Sequence, residues 1–125
     1  MADKTKFIEE LNAKYQPKGE YIVLGKGMLD GEVITEVDVN IPLKTINRHG
    51  LIAGATGTGK TKTLQVFVEQ LSHKGIPTLV MDIKGDLSGI AVEGEQNDKI
   101  NERYAKTKLP YQPQSFPVEL MTISA

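Results

Sequence analysis

The stretch Gly54-Ala55-Thr56-Gly57-Thr58-Gly59-Lys60-Thr61 constrains this chain more than any other part of its 125 residues. It follows the pattern G-x-x-x-x-G-K-[ST], in which consecutive main-chain N–H groups can wrap a polyphosphate. Gly54, Gly57 and Gly59 stand where a β-carbon would collide with the anion or forbid the backbone angles. With glycine at about 7% of residues, the fixed positions match by accident in fewer than roughly one chain in a hundred of this length. The context narrows it further. Leu51-Ile52-Ala53 is a short apolar run that feeds into the glycines, and Leu64, Phe67, Val68 and Leu71 beyond them fall at i, i+3, i+4 and i+7. That spacing predicts a helix over 60–74, with Gly75 at the C-cap position.

A loop that empties into a helix N-terminus adds unpaired amides and the helix dipole to its attraction for anions. The residues expected to contact phosphate are Gly54, Ala55, Thr56, Gly57, Thr58, Gly59, Lys60, Thr61 and Lys62. Lys60 is expected to reach the β- and γ-phosphates of a nucleoside triphosphate, and the Thr61 hydroxyl to be one ligand of the Mg²⁺ that bridges them.

Residues 76–81 read as a mostly apolar strand that ends at Asp82, giving strand, helix, strand. Such a βαβ unit requires parallel strands, so the core is expected to be α/β. Ligands of parallel sheets collect at the carboxyl ends of the strands, which puts Asp82 beside the phosphate site. Three roles compete for Asp82: a carboxylate associated with Mg²⁺, a group that positions water beside the γ-phosphate, or a cap on the turn Ile83-Lys84-Gly85-Asp86. Lys84 and Asp86 are read as a surface pair across that turn. Arg48 and His49 are read as satisfying backbone groups before the first core strand, ahead of any catalytic role.

The rest of the chain is organised around this unit. Phe7, Ile8, Leu11 and Tyr15 share one side of a 3.6-residue period, with Asp3 or Thr5 as cap and Pro17 as stop. Tyr21 to Leu24 reads as a strand, Asp30-Gly31 as a hairpin turn, and Val33, Thr35, Val37, Val39 and Ile41 as the inward face of a returning strand. Residues 93–108 read as an exposed helix, 109–117 as a proline-bearing loop, and 118–123 as another strand. The expected segments are an N-terminal amphipathic helix at 1–17, a β-hairpin lead-in at 18–46, and the N-terminal part of an ATPase domain at 47–125.

Composition removes other classes. The chain is long enough for one domain, burying roughly two thirds of its unfolded surface. Hydrophobic residues at 39% and charged residues at 25% fit a folded globular protein. No apolar window approaches a membrane span, and zero cysteines exclude thiolate chemistry and fit a reducing cytoplasm. A net charge of −1 supplies no general pull on nucleic acid. No Asn-Lys-x-Asp guanine reader is present, and with only Arg48 and Arg103 as arginines, a kinase lid is disfavoured.

Residues 47–61, followed by Leu64-Gln65 and then by Met81-Asp82-Ile83-Lys84-Gly85-Asp86-Leu87-Ser88-Gly89, resemble the HerA/FtsK superfamily of DNA-translocating ATPases. The similarity is greatest to bacterial helicase HerA-like C-terminal domain proteins and is strongest over 48–91. The resemblance implies a RecA-like P-loop NTPase sheet preceded by a helix and hairpin, ATP hydrolysis with Mg²⁺ at subunit interfaces of a hexameric ring, and movement along duplex DNA. It gives Lys60 and Asp82 catalytic roles and makes Thr61 and Asp82 the metal-side residues. A complete motor of this kind continues with a Walker B strand, polar sensors and an arginine finger. None is identifiable here, so the sheet is expected to be incomplete at Ser124-Ala125. A nucleotide-binding module without turnover, in which ATP orders the loop or promotes assembly, is the competing reading.

Overall fold

A computed structural model describes residues 3–123. Met1, Ala2, Ser124 and Ala125, which bound the expected outer segments, lie outside the described residues. Helix α1 spans Lys4–Tyr15, and the Asp3 carboxylate caps it by accepting from the amides of Thr5 and Lys6 at 3.0 and 3.3 Å. Its stop before Pro17 is the expected one. Phe7, Ile8 and Leu11 are half-buried against the hairpin that follows.

Strands β1 (Tyr21–Leu29) and β2 (Glu32–Pro42) form an antiparallel two-stranded sheet. They are joined by Asp30-Gly31, whose φ values of 50° and 83° are those of a type I′ turn. This turn twists in the same sense as the strands, and for that reason an Asp-Gly pair closes the hairpin without splaying it. The simple alternation expected for β2 is broken. Val37 is fully buried as expected, but its buried companion is Ile34, three residues away, while Thr35 and Val39 are only half-buried. The cause is an irregularity in register: Lys26 pairs with Asp38, but the next residue, Gly27, pairs with Ile34. Three residues of β2 bulge between these pairs, and the Lys26 ammonium fills the bend. It donates to the Thr35 carbonyl at 2.9 Å and forms an ion pair with Asp38. Val37 then lies directly over Gly27, where an added Cβ would meet the Val37 side chain at 3.0 Å.

Helix α2 spans Lys60–His73, one residue shorter than expected, and ends in a Schellman motif at Gly75 with φ +73°. Gly75 N–H donates to the Ser72 carbonyl and Ile76 N–H to that of Leu71, which satisfies two helix-end acceptors. Helix α3 spans Asp98–Thr107, inside the expected 93–108, and is capped by the Asn97 side chain accepting from Ile100 N–H at 2.9 Å. The buried apolar residues are Ile22, Ile34, Val37, Leu71 and Ile90. Ile22, Leu71 and Ile90 come from β1, α2 and a 3-10 turn at Ser88–Ala91, so the core is drawn from the hairpin, α2 and that turn.

The expected parallel sheet is not formed among the described residues. Among the described residues, 51–53, 76–82 and 118–123 run without strand pairing, and the sheet is the hairpin alone. A parallel ladder needs neighbouring strands and cover on both faces. Here Leu79, Met81 and Ile123 stay 85%, 91% and 103% exposed. The burial that this length allows is not reached either. A compact monomer of 13.7 kDa exposes about 6,600 Å² by size scaling. This chain exposes 10187 Å².

Candidate functional site

After a 3-10 turn at Leu43–Thr45, the chain passes Arg48 and His49, both exposed, and reaches the glycine loop. Gly57 and Gly59 adopt φ of +80° and +95°, the left-handed region that side chains avoid. Gly54 has a different reason to be glycine: a Cβ there would come within 2.6 Å of the Thr58 hydroxyl. The three glycines therefore do two jobs, reversing the backbone and making room for the loop to close on itself.

The Ala55 carbonyl is the centre of that closure. It accepts from the Thr58 amide at 3.3 Å, from the Thr58 hydroxyl at 2.7 Å and from the Lys60 ammonium at 2.7 Å. Lys60 thus folds back over its own loop instead of extending into solvent. The amides of Gly57, Gly59, Lys60 and Thr61 donate to no protein oxygen among the described residues. Gly59 caps α2 with no side chain, which leaves the first amides of the helix facing the loop. Four amides without a protein acceptor, a positive helix end and one ammonium are thereby gathered at one place, the combination that attracts anions in general.

Asp82 stands across from the start of α2. Thr61 and Asp82 line one shallow depression of about 240 Å³, together with Lys84 and Asp86. The Asp82 carboxylate accepts from the amide of Leu87 through Oδ2 at 2.8 Å, and through Oδ1 from those of Lys84 and Gly85 at 3.2 and 3.0 Å. These bonds, led by the one from Leu87, hold its pKa below the usual carboxylate range. The carboxylate therefore stays ionised and organises the 82–87 turn. Among the described residues the surface pair read for Lys84 and Asp86 is not formed, because Asp82 organises the turn through its backbone.

Two residues that sequence reasoning missed attach this site to its surroundings. Gln65 Nε2 donates to the Asp86 carbonyl at 3.1 Å and so ties the first half of α2 to the Asp82 turn. Gln70 binds the backbone of Val23 in β1. A glutamine beside the apolar stripe of a helix reads as surface, and its partner is decided by the fold. A larger hollow of about 490 Å³ lies between α1 and β2, lined by Asn12, Gln16, Glu36 and Asn40. It contains none of the expected site residues, and Asn12 and Asn40 are bonded across it to the carbonyls of Glu36 and Tyr15. No helix among the described residues is long and apolar enough to cross a membrane.

The site is thus a glycine loop at a helix N-terminus with an inturned lysine, and comparison with known proteins identifies the family. Residues 28–125 match the family described as Helicase HerA-like C-terminal, and the chain belongs to that family. A protein named as a probable helicase in Methanocaldococcus jannaschii is 35% identical over 78 residues, covering 59% of this chain and 15% of that protein. The DNA double-strand break repair helicase HerA of Saccharolobus solfataricus is 32% identical over 78 residues, covering 62% of this chain and 14% of its own. The chain thus spans about one seventh of the length of these relatives. No solved structure matches it.

Proposed function

We propose that this chain is the ATP-binding portion of a HerA-like ATPase motor of the helicase or translocase type. The single observation that carries the reading is the loop 54–61, in which the Lys60 ammonium is turned inward while the amides of Gly57, Gly59, Lys60 and Thr61 remain free. Those amides, with Gly54, Ala55, Thr56 and Thr58 shaping the loop, cradle the β- and γ-phosphates. Lys62, in the first turn of α2, adds positive charge at the same end. Lys60 exchanges its bond to the Ala55 carbonyl for phosphate oxygens, a stronger charge-assisted contact.

The residues fit a metal in chemical type: the Thr61 hydroxyl and the Asp82 carboxylate line one depression. They would hold Mg²⁺, which supplies charge neutralisation between the phosphates when bound. Asp82 serves this through the turn it organises, its Oδ2 engaged by a single amide and retaining acceptor capacity. In the longer polypeptide, residues 51–53, 76–82 and 118–123 become parallel strands of a P-loop NTPase sheet, subunits assemble as a hexameric ring, and duplex DNA is the track. The names of the two relatives support a helicase role.

A second reading, a nucleotide-binding module without turnover, is favoured by one observation: three turn amides already occupy the Asp82 carboxylate. Titration calorimetry with ATP and Mg²⁺ tests the common ground. Lys60→Ala is expected to weaken binding about ten- to hundredfold, the equivalent of a charged hydrogen bond of about 1.5–3 kcal/mol. Unchanged affinity would refute the phosphate-loop assignment, and phosphate release from ATP divides motor from module.

A further inference from the structure

Gln70 lies ten residues beyond Lys60 on α2, about 15 Å along the helix axis at 1.5 Å per residue. Its carboxamide engages one residue of the hairpin twice. Val23 N–H donates to Oε1 at 2.7 Å, and Nε2 donates to the Val23 carbonyl at 2.6 Å. The remaining Nε2 hydrogen is directed at the Val66 carbonyl, one turn back in the helix, at 3.4 Å. Both donor hydrogens and the acceptor are thereby used, and the amide has one orientation: turned over, it would set N–H against N–H and oxygen against oxygen.

Val23 lies on β1, whose other edge carries the ladder to β2. Gln70 makes with it the pair of bonds that a neighbouring strand would make. The free edge of the hairpin is therefore closed by a side chain of the helix that begins at the glycine loop. The sequence neighbours of the two residues, Ile22 and Leu71, are 1% and 4% exposed, and the Lys74 ammonium reaches Glu20 at 3.4 Å one turn further on. Apolar burial of the kind shown by Ile22 and Leu71 would by itself tolerate a small slide of the helix along the strand. A two-point amide bond does not, because both distances lengthen together.

We infer that Gln70 is a positioning residue that couples the β1–β2 hairpin to the glycine loop, so that the hairpin moves with α2 when the loop closes on phosphate. The inference rests on the nucleotide reading of the loop; Gln70 itself touches no nucleotide. α2 acts as a stiff rod, with Gln65 holding the Asp82 turn near one end and Gln70 holding the hairpin near the other.

Backbone-amide hydrogen exchange and NMR on the 125-residue chain test this. In the unsubstituted chain a through-hydrogen-bond coupling is expected between the Val23 amide nitrogen and the Gln70 side-chain carbonyl carbon. Adding ATP with Mg²⁺ is expected to shift the amides of Gly57 to Thr61 and to slow exchange at Val23. Gln70→Met, which keeps length and apolar volume, is expected to raise Val23 exchange roughly tenfold, the factor for one lost hydrogen bond. In that variant ATP still shifts Gly57 to Thr61, and Val23 no longer responds. An equal Val23 response in both proteins, or a response at the loop without one at Val23, overturns the coupling and leaves the nucleotide reading standing. No response at Gly57 to Thr61 overturns the nucleotide reading, and the coupling falls with it. If Gln70→Met does not fold, the unsubstituted chain decides: a Val23–Gln70 coupling that persists on adding ATP while Val23 exchange slows supports the inference, and a coupling that is missing, or is lost on adding ATP, overturns it.

Discussion

The first and second halves of the chain differ in how far their apolar segments are paired and buried. From α1 to the end of β2, the chain closes on itself through a two-residue turn. It buries Ile22, Ile34 and Val37, and secures β2 with the Lys26 ammonium. From residue 47 onward, α2 is closed at its C-terminus by Gly75 and α3 is capped at its N-terminus by Asn97, but the apolar runs outside these helices stay unpaired and largely exposed. The contrast lies in connectivity. An antiparallel pair needs only its own turn, whereas parallel strands need neighbours and helices on both faces. The glycine loop sits on the border between the two halves, and α2 carries it while docking on the complete one.

This comparison can be broken at its strong end first. Ile22→Ala removes a side chain that is 1% exposed between hairpin and helix, and urea unfolding should show a loss of about 2–5 kcal/mol. A loss under about 0.5 kcal/mol would mean that the hairpin and α2 do not share a core. At the weak end, Leu79→Ser alters a side chain that is 85% exposed, and the same titration should move by no more than about 0.5 kcal/mol. A large destabilisation there would show that residues 76–82 are paired in solution.

The smallest effect belongs to the Asp82 turn. Its carboxyl pKa is depressed, chiefly by the Leu87 amide, so its contribution to folding is present above the unfolded carboxyl value of about 3.9. That contribution is lost as pH falls through the lower folded value. The Leu87 amide resonance should therefore hold steady near neutrality and shift only in acid, and Asp82→Asn should abolish that acid transition. A Leu87 shift that survives the substitution would assign it to another group.

Much was legible in advance where the physics is local. Asp3 and Pro17 bounded α1, Asp30-Gly31 specified the hairpin turn, and the 3.6-residue stripe with Gly75 located α2 to within one residue. The inward face of β2 was misread because its alternation is interrupted by a bulge that depends on a lysine eleven residues before Val37, held in place only once the strands pair. The parallel sheet does not form among the described residues, because apolar runs report that a segment can be buried, not that a neighbour is present to bury it.

Sequence alone determined the conformation of the glycine loop, since left-handed angles at Gly57 and Gly59 and the crowding at Gly54 are properties of a few adjacent residues. Only the tertiary structure decided that Thr61 and Asp82 share one depression, that Gln65 ties α2 to the Asp82 turn, and that Gln70 closes the edge of β1. The physical reason is range. Backbone angles are set by the atoms of neighbouring residues, while a long polar side chain takes whichever partner the packing of distant segments brings within about 3 Å.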